Sequence, residues 1–124
     1  MLPYTISTID NRGISMGKKR IEVVSESMFY TLMVFLQGEA SGVEIASKVE
    51  ALTQGRVGLG PATLYTILGR FEEEGVIIET GREGRKRFYR LTDKGVKMYQ
   101  EELERLKQCI RDARLWEDEN NESL

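Results

Sequence analysis

The chain has 124 residues, 40% of them hydrophobic and 31% charged, which is typical of one small globular domain with a modest core. Its formal net charge is −2 and it contains no histidine, so the commonest general base and metal ligand are both missing. We therefore predict no catalytic residue, no metal site and no cofactor, and no apolar run approaches the ~20 residues that a membrane span needs.

The N-terminal arm, residues 1–24, shows no strong hydrophobic period. It mixes proline, glycine, asparagine and threonine with isolated apolar residues, which is typical of a poorly ordered segment. The alternative is that the arm helps to hold a phosphate backbone through Lys18, Lys19 and Arg20. Both interpretations stay open at this point.

Three helices are predicted between Ser25 and Gly75. The stretch SESMFYTLMVFLQG is apolar on nearly every side and stops at Gly38, which indicates a buried helix. The stretch SGVEIASKVEALTQG stops at Gly55 and carries one apolar stripe, formed by Val43, Ile45, Ala46, Val49 and Leu52. In GPATLYTILGRFEEEG, Pro61 suits the first helical position because its missing N–H costs nothing there. The apolar residues of this third helix recur at i, i+3, i+4 and i+7, and they are Leu64, Ile67, Leu68 and Phe71.

A basic hairpin follows the third helix. The β-rich runs VIIET and RKRFYRL are separated by GREG, which predicts two strands joined by a turn. Residues 82–90 contain one acid, Glu83, and five cations, namely Arg82, Arg85, Lys86, Arg87 and Arg90. Because a strand of alternating sides cannot bury five cations, we expect most of them to project into solvent. The alternative to a binding role is an edge strand that its charges protect from pairing with other chains.

A long last helix is predicted from about residue 93 to residue 116, capped by Thr92 or Asp93 and followed by an acidic tail, residues 117–124. Its apolar residues are spaced 3, 4, 3, 4 and 3 apart, and they are Val96, Tyr99, Leu103, Leu106, Ile110 and Ala113. So long a stripe favours a dimer interface between two copies of the helix. The alternative is packing against the first helix of the same chain.

The predicted fold class is mainly α with a small β-hairpin (α+β). Residues 25–92 form a winged helix-turn-helix, in which the third helix enters the major groove of DNA and the hairpin lies along the backbone or minor groove. Small, hydroxylated or cationic residues on the exposed side of that helix suit phosphates and base edges. The predicted DNA contacts are Ala62, Thr63, Tyr65, Thr66 and Arg70 on the helix and Arg82, Arg85, Lys86, Arg87 and Arg90 on the hairpin.

The acidic total does not argue against a polyanionic partner. Residues 1–100 carry 14 lysines and arginines against 12 acids, whereas residues 101–124 carry 4 against 8. The acidity of the chain therefore comes largely from its last helix and tail. Because salt screens charges beyond roughly 8 Å, a local basic cluster can act independently of the total.

The chain resembles the PadR family of transcriptional regulators. The resemblance is carried by GLGPATLYTILGRFEEEGVI (58–77) and GRKRFYRLTDKG (84–95), and it extends over about residues 25–116, with SGVEI where the family often has HGYEI. It implies a homodimer joined by its C-terminal helices on a roughly two-fold symmetric operator, usually as a repressor. Thr63 and Tyr65 match the family's recognition helix, and Arg87, Tyr89 and Arg90 match its wing.

The resemblance also bears on small-molecule effectors. Some small members of the family stack a drug on a tryptophan of the C-terminal helix. Here Leu106 stands at that position and the one tryptophan, Trp116, lies near the helix end, which argues against drug binding of that kind. The sequence identifies no effector.

Two other classes of function stay open. A winged helix can serve as a protein-interaction adaptor, in which case the basic hairpin would bind an acidic protein surface and DNA binding would be weak. Alternatively, DNA binding responds to oxidation through a disulfide between Cys109 and its copy in a dimer. That lone cysteine has no internal partner and fits a chain of the reducing cytoplasm. We predict no enzymatic activity, since no base partner for Cys109 is present.

Overall fold

Four helices and a three-stranded antiparallel sheet make up the computed structural model, which describes residues 20–120. The elements in chain order are α1 (Glu26–Phe35), β1 (Ala40–Ser41), α2 (Gly42–Thr53), α3 (Pro61–Glu73), β2 (Ile77–Glu83), β3 (Lys86–Leu91) and α4 (Asp93–Asn120). The strands lie in the order β1-β3-β2. The predicted order of three helices, a hairpin and a long last helix is confirmed.

Local signals in the sequence start each of the first three helices. The Ser25 hydroxyl accepts a hydrogen bond from the Met28 amide at the start of α1. Ser41 and Glu44 form a capping box at the start of α2, because each side chain accepts from the other's backbone N–H. Pro61 is the first residue of α3, as predicted, and it follows Gly60 as the N-cap.

The hydrophobic core lies between the first three helices and the base of the sheet. Its most buried side chains are Leu32 and Phe35 of α1, Ile45 and Val49 of α2, Phe71 of α3, and Val76 and Ile77. Helices α2 and α3 approach closely at Gly42, where an added Cβ would lie 3.1 Å from the Leu68 Cδ1 atom. The small residue therefore sets the separation of the two helices.

Helix α4 begins against the base of the hairpin. The Thr92 hydroxyl donates to the Gly75 carbonyl at 2.6 Å and accepts from the Gly95 amide at 3.2 Å. A Cβ on Gly95 would lie 2.5 Å from the Val76 carbonyl oxygen, so only glycine permits this approach. The long helix is thus anchored at its first turn.

The two halves of α4 have different surroundings. Near its start, Tyr99 stacks on Phe29 of α1 with ring centroids 5.2 Å apart and planes 9° from parallel, and Met98 packs against the core. From residue 107 to Asn120, every residue is exposed. The helix continues four residues past the predicted end at 116, into the segment expected to be a tail.

Several details differ from the sequence-based expectations. Val43 and Leu52 do not lie on the buried stripe of α2 and are 67% and 55% exposed. Ile21, within the arm expected to be poorly ordered, is buried, and its amide donates to the Glu74 carboxylate. The strand β1 was not predicted, because its two residues are too few to show the alternation of apolar and polar side chains that marks a strand. The basic arm residues Lys18 and Lys19 lie outside the described residues.

No helix between residues 20 and 120 has the length and apolarity that crossing a membrane requires.

Candidate nucleic-acid interface

The exposed side of α3 carries the side chains predicted to contact DNA. Four of them are exposed and Arg70 is half-buried; the exposed ones are Ala62, Thr63, Tyr65 and Thr66. The opposite side is closed by the apolar residues Leu64, Ile67, Leu68 and Phe71, which are 0–4% exposed. Burial of that stripe therefore orients the small and hydroxylated residues outward.

A shallow cleft lies between the starts of α1 and α3. It is lined by Ser25, Ser27, Ala62, Thr63, Thr66 and Ile67. No side chain caps α3 at Gly60, so its first backbone N–H groups are open to a partner such as a phosphate. The two serines were not predicted as site residues, although the capping role of Ser25 marks it as the start of a helix.

The hairpin of β2 and β3, called the wing below (residues 77–91), ends in a two-residue turn. Gly84 has a φ of 61°, which suits the first central position of a type II′ turn. Strand β2 extends further than predicted and β3 begins one residue later: only Gly84 and Arg85 separate them, and the other residues expected in the turn lie in β2. The turn places Arg82, Arg85, Lys86 and Arg87 near the tip of the wing, whereas Arg90 lies nearer its base, opposite Ile78.

Three of the five wing cations are exposed and form no ion pair with an acid of residues 20–120. They are Arg85, Lys86 and Arg90. The Lys86 amine lies 5.4 Å from the centre of the Phe88 ring, and an Arg90 N–H donates to the Leu91 carbonyl. These three cations are available to a phosphate backbone.

The other two wing cations are held by carboxylates. Arg87 donates through Nη2 to Glu72 of α3 at 2.8 Å and through Nε to Glu79 of β2 at 2.9 Å. Arg82 donates through Nε to the second oxygen of Glu79 at 2.7 Å. The hydrogen bonds from Arg82 and then Arg87 lower the pKa of Glu79, and the bond to Glu79 raises the pKa of Arg87. The expectation that most of the five cations project into solvent agrees with the exposure of the other four, whereas Arg87 is half-buried, with 36% of its side chain exposed.

Glu72 and Glu79 were missed by the sequence analysis. Strand alternation alone places Arg87 and Tyr89 on one side of β3, and the observed register puts Glu79 directly opposite Tyr89. A shift in register between Glu79 and Gly81 follows, and such an irregularity has no readable signal here.

The predicted dimer seam is divided between two environments. The first four seam residues are half-buried within their own chain, and they are Val96, Tyr99, Leu103 and Leu106. The last two, Ile110 and Ala113, are exposed. Trp116 is also exposed, at 66%, and Cys109 is exposed beside this seam. The alternative that the stripe packs on α1 therefore holds for its first half, while the second half lacks a covering element in the described chain.

A second cleft, of about 540 Å³, lies between residues 20–24 and the first half of α4. Four acids and four cations line it, so it presents no dominant sign of charge. Glu102 at its edge is buried and receives two hydrogen bonds from Arg105. This balance gives no reason to assign an ionic ligand to the cleft.

Comparison with known protein families gives one match. The family model described as "Transcriptional regulator PadR-like family" matches residues 31–101, which include α2, α3 and the whole wing. Among curated protein sequences, none matches the chain significantly.

Solved structures share this architecture. A transcriptional regulator from Clostridium thermocellum is similar with a TM-score of 0.63 and 26% identity, over 69% of this chain and 87% of that one. H. salinarum RosR is similar with a TM-score of 0.59 and 17% identity, over 77% of this chain and 97% of that one. Lactococcus lactis ZitR has a TM-score of 0.56 and 18% identity, over 89% of this chain and 72% of that one. The last two likenesses concern the fold alone.

Proposed function

Because this chain belongs to the PadR-like family of transcriptional regulators, which bind DNA and are not enzymes, we propose that it is a homodimeric repressor of a specific operator. The observation that carries the proposal is the outward face of α3 beside three wing cations without acidic partners among residues 20–120. An acidic chain that carries Arg85, Lys86 and Arg90 along one hairpin without an ion pair among residues 20–120 is suited to a phosphate backbone.

In the proposed complex, α3 lies in the major groove. Thr66 and Arg70 contact base edges, while Ala62, Thr63 and Tyr65 lie against the groove wall and the nearest phosphates. The open N–H groups at the start of α3 and the hydroxyls of the adjacent cleft add phosphate contacts. The exposed wing cations follow the backbone on the flank of the same groove.

The proposed dimer uses the exposed half of α4. Pairing two copies along Leu106, Ile110 and Ala113 covers one half-buried and two exposed apolar side chains, as counted within residues 20–120 of one chain. A two-fold axis through this seam presents two α3 helices to half-sites about one helical turn, or roughly 34 Å, apart. The operator is then a near-palindrome, and the protein acts in the cytoplasm.

The first test measures fluorescence anisotropy on labelled duplexes at ~50 and ~200 mM salt, using the region upstream of the protein's own gene and random fragments. Tight binding to one fragment, with affinity that falls steeply as salt rises, supports a sequence-specific regulator. Weak binding to every fragment that disappears at ~200 mM salt contradicts it and favours an adaptor. A promoter–reporter fusion then distinguishes repression from activation.

The dimer has its own test. Ile110→Asp places a charge in the seam, and we expect sedimentation velocity to shift from dimer to monomer. Gln108→Asp adds the same charge on another side of α4 and serves as the matched control. If both variants stay dimeric, the seam is not the interface.

A further inference from the structure

Arg87 connects three elements of the DNA-binding half. Its guanidinium donates to Glu72, one residue before the end of α3, and to Glu79 on β2, while Arg87 itself lies on β3. Both bonds are 2.8–2.9 Å long and join opposite charges, which is the stronger class of hydrogen bond. The planar fork of arginine suits this double contact, whereas lysine offers only a point charge.

The wing has little else to hold its outer part. Strand β1 pairs with β3 only at Phe88 and Tyr89, so beyond these residues the hairpin has two strands. The last buried side chain toward the tip is Tyr89, and residues 82–86 are all exposed. Because a two-stranded hairpin alone is marginally stable in water, its direction depends on the contacts at its base.

The cross-strand register shows why Glu79 belongs to this arrangement. Arg82 and Arg87 are directly opposite each other on β2 and β3, a like-charge pair that would destabilise the hairpin. Glu79 accepts hydrogen bonds from both and so offsets their repulsion. The Arg87 guanidinium also lies 5.2 Å from the centre of the buried Tyr89 ring, which restricts its position further.

We propose that Arg87, Glu72 and Glu79 form a clamp that sets the direction of the wing relative to α3, so that both elements reach one duplex together. Arg87 is then a positioning residue, while Arg85, Lys86 and Arg90 contact phosphate. This inference rests on the DNA binding proposed above. It differs from a direct phosphate contact by Arg87 in the direction in which Glu72→Gln changes the operator affinity.

The decisive variant is Glu72→Gln, which removes a negative charge from the DNA-binding side. If Arg87 contacts phosphate, the change frees it and binding to every duplex stays equal or becomes tighter. The clamp predicts weaker operator binding, on the order of fivefold, which is the size of coupling within one salt-bridge network. Random DNA is expected to be bound equally or more tightly, so the ratio of operator to random affinity falls.

Glu83→Gln is the matched control. Glu83 lies in the exposed outer part of the wing and makes no ion pair among residues 20–120, so the same charge change should leave the operator-to-random ratio unaltered. An equal fall of that ratio in both variants would overturn the clamp. Arg87→Lys keeps the charge without the fork, and the clamp predicts that it restores little of the operator affinity lost in Arg87→Ala.

The salt dependence of binding separates the two roles of arginine. Each lost phosphate contact lowers the slope of log affinity against log salt by roughly 0.9. We expect this decrease for Arg85→Ala and an unchanged slope for Arg87→Ala. A decrease of the same size for Arg87→Ala would assign it to phosphate and overturn the proposal.

A measurement without DNA keeps the clamp distinguishable from the proposed function. NMR order parameters of the Gly84 and Arg85 amides should fall in Glu72→Gln and stay unchanged in Glu83→Gln. If the wild type binds no operator but this fall is seen, the clamp holds and the proposed function fails. Unchanged order parameters in both variants contradict the clamp whatever the DNA result.

Discussion

Helix α3 and the wing are held in place by different forces. The inner side of α3 is 0–4% exposed and is positioned by burial of four apolar side chains. The outer wing is positioned by ion pairs whose side chains are 26–59% exposed, and such pairs contribute little stability individually. Salt screens exposed ion pairs, whereas it does not screen the burial of apolar side chains. The helix proposed to read bases is therefore held in place by packing alone, whereas the direction of the wing proposed to follow the backbone depends on ion pairs.

The largest expected difference between the two regions comes from aromatic truncation. Phe71→Ala in α3 removes a fully buried ring, and we expect it to lower the free energy of unfolding by about 3–5 kcal/mol. Phe88→Ala in the wing removes a half-buried ring and should cost about 1 kcal/mol or less. Urea unfolding followed by circular dichroism measures both. Equal losses would show that the wing is packed as firmly as the helix.

A second prediction concerns the seating of α3 on α2. Gly42→Ala places a methyl group 3.1 Å from Leu68 Cδ1, and we expect a loss of about 1 kcal/mol because the Leu68 side chain must shift within the packed core. Gly58→Ala is the control, because nothing lies within 4 Å of its added Cβ. Thermal unfolding should show a lower Tm for Gly42→Ala alone. An unchanged Tm would mean that the helix pair has room to move.

A third prediction tests how much the capping box at the start of α2 contributes to the stability of the helical part of the protein. Ser41→Ala removes one half of the capping box at the start of α2, which should cost about 1 kcal/mol of unfolding free energy. Ser47→Ala, at an exposed position within the same helix, should have almost no effect. If urea titrations show a similar loss of unfolding free energy in both variants, the cap makes no specific contribution to stability.

The smallest expected effect is a pH response confined to the wing. Arg82 and Arg87 lower the pKa of Glu79, so the stabilisation that this carboxylate provides is complete above its unfolded pKa of roughly 4.3. It is lost as the pH falls through the lower, folded-state pKa. The protection factors of the wing amides, which remove the intrinsic pH dependence of amide exchange, should therefore fall between pH 5 and pH 3 before those of α3 do. Glu79→Gln should abolish this difference, and simultaneous loosening of both regions would contradict it.

Patterns along the chain were sufficient for the elements held by burial. The stripe of Leu64, Ile67, Leu68 and Phe71 is periodic, and Pro61 is suited to a first helical position, so α3 was predicted closely. Apolar periodicity alone was misleading for α2, where Val43 and Leu52 fit the stripe but face solvent. An apolar stripe describes the sequence of one helix, whereas the burial of each residue in it depends on how much of the helix the neighbouring elements cover.

The sequence by itself determined the order of the elements, the inner face of α3 and the position of the basic hairpin, because helix and strand periods are local properties. Only the tertiary structure decided that β1 joins the sheet, that α4 packs over its first half, and which carboxylates hold Arg87. Those features join residues 15 to about 70 positions apart in the chain, such as Glu72 with Arg87 and Phe29 with Tyr99. Partner choice among exposed charges depends on distances that only the packed core sets.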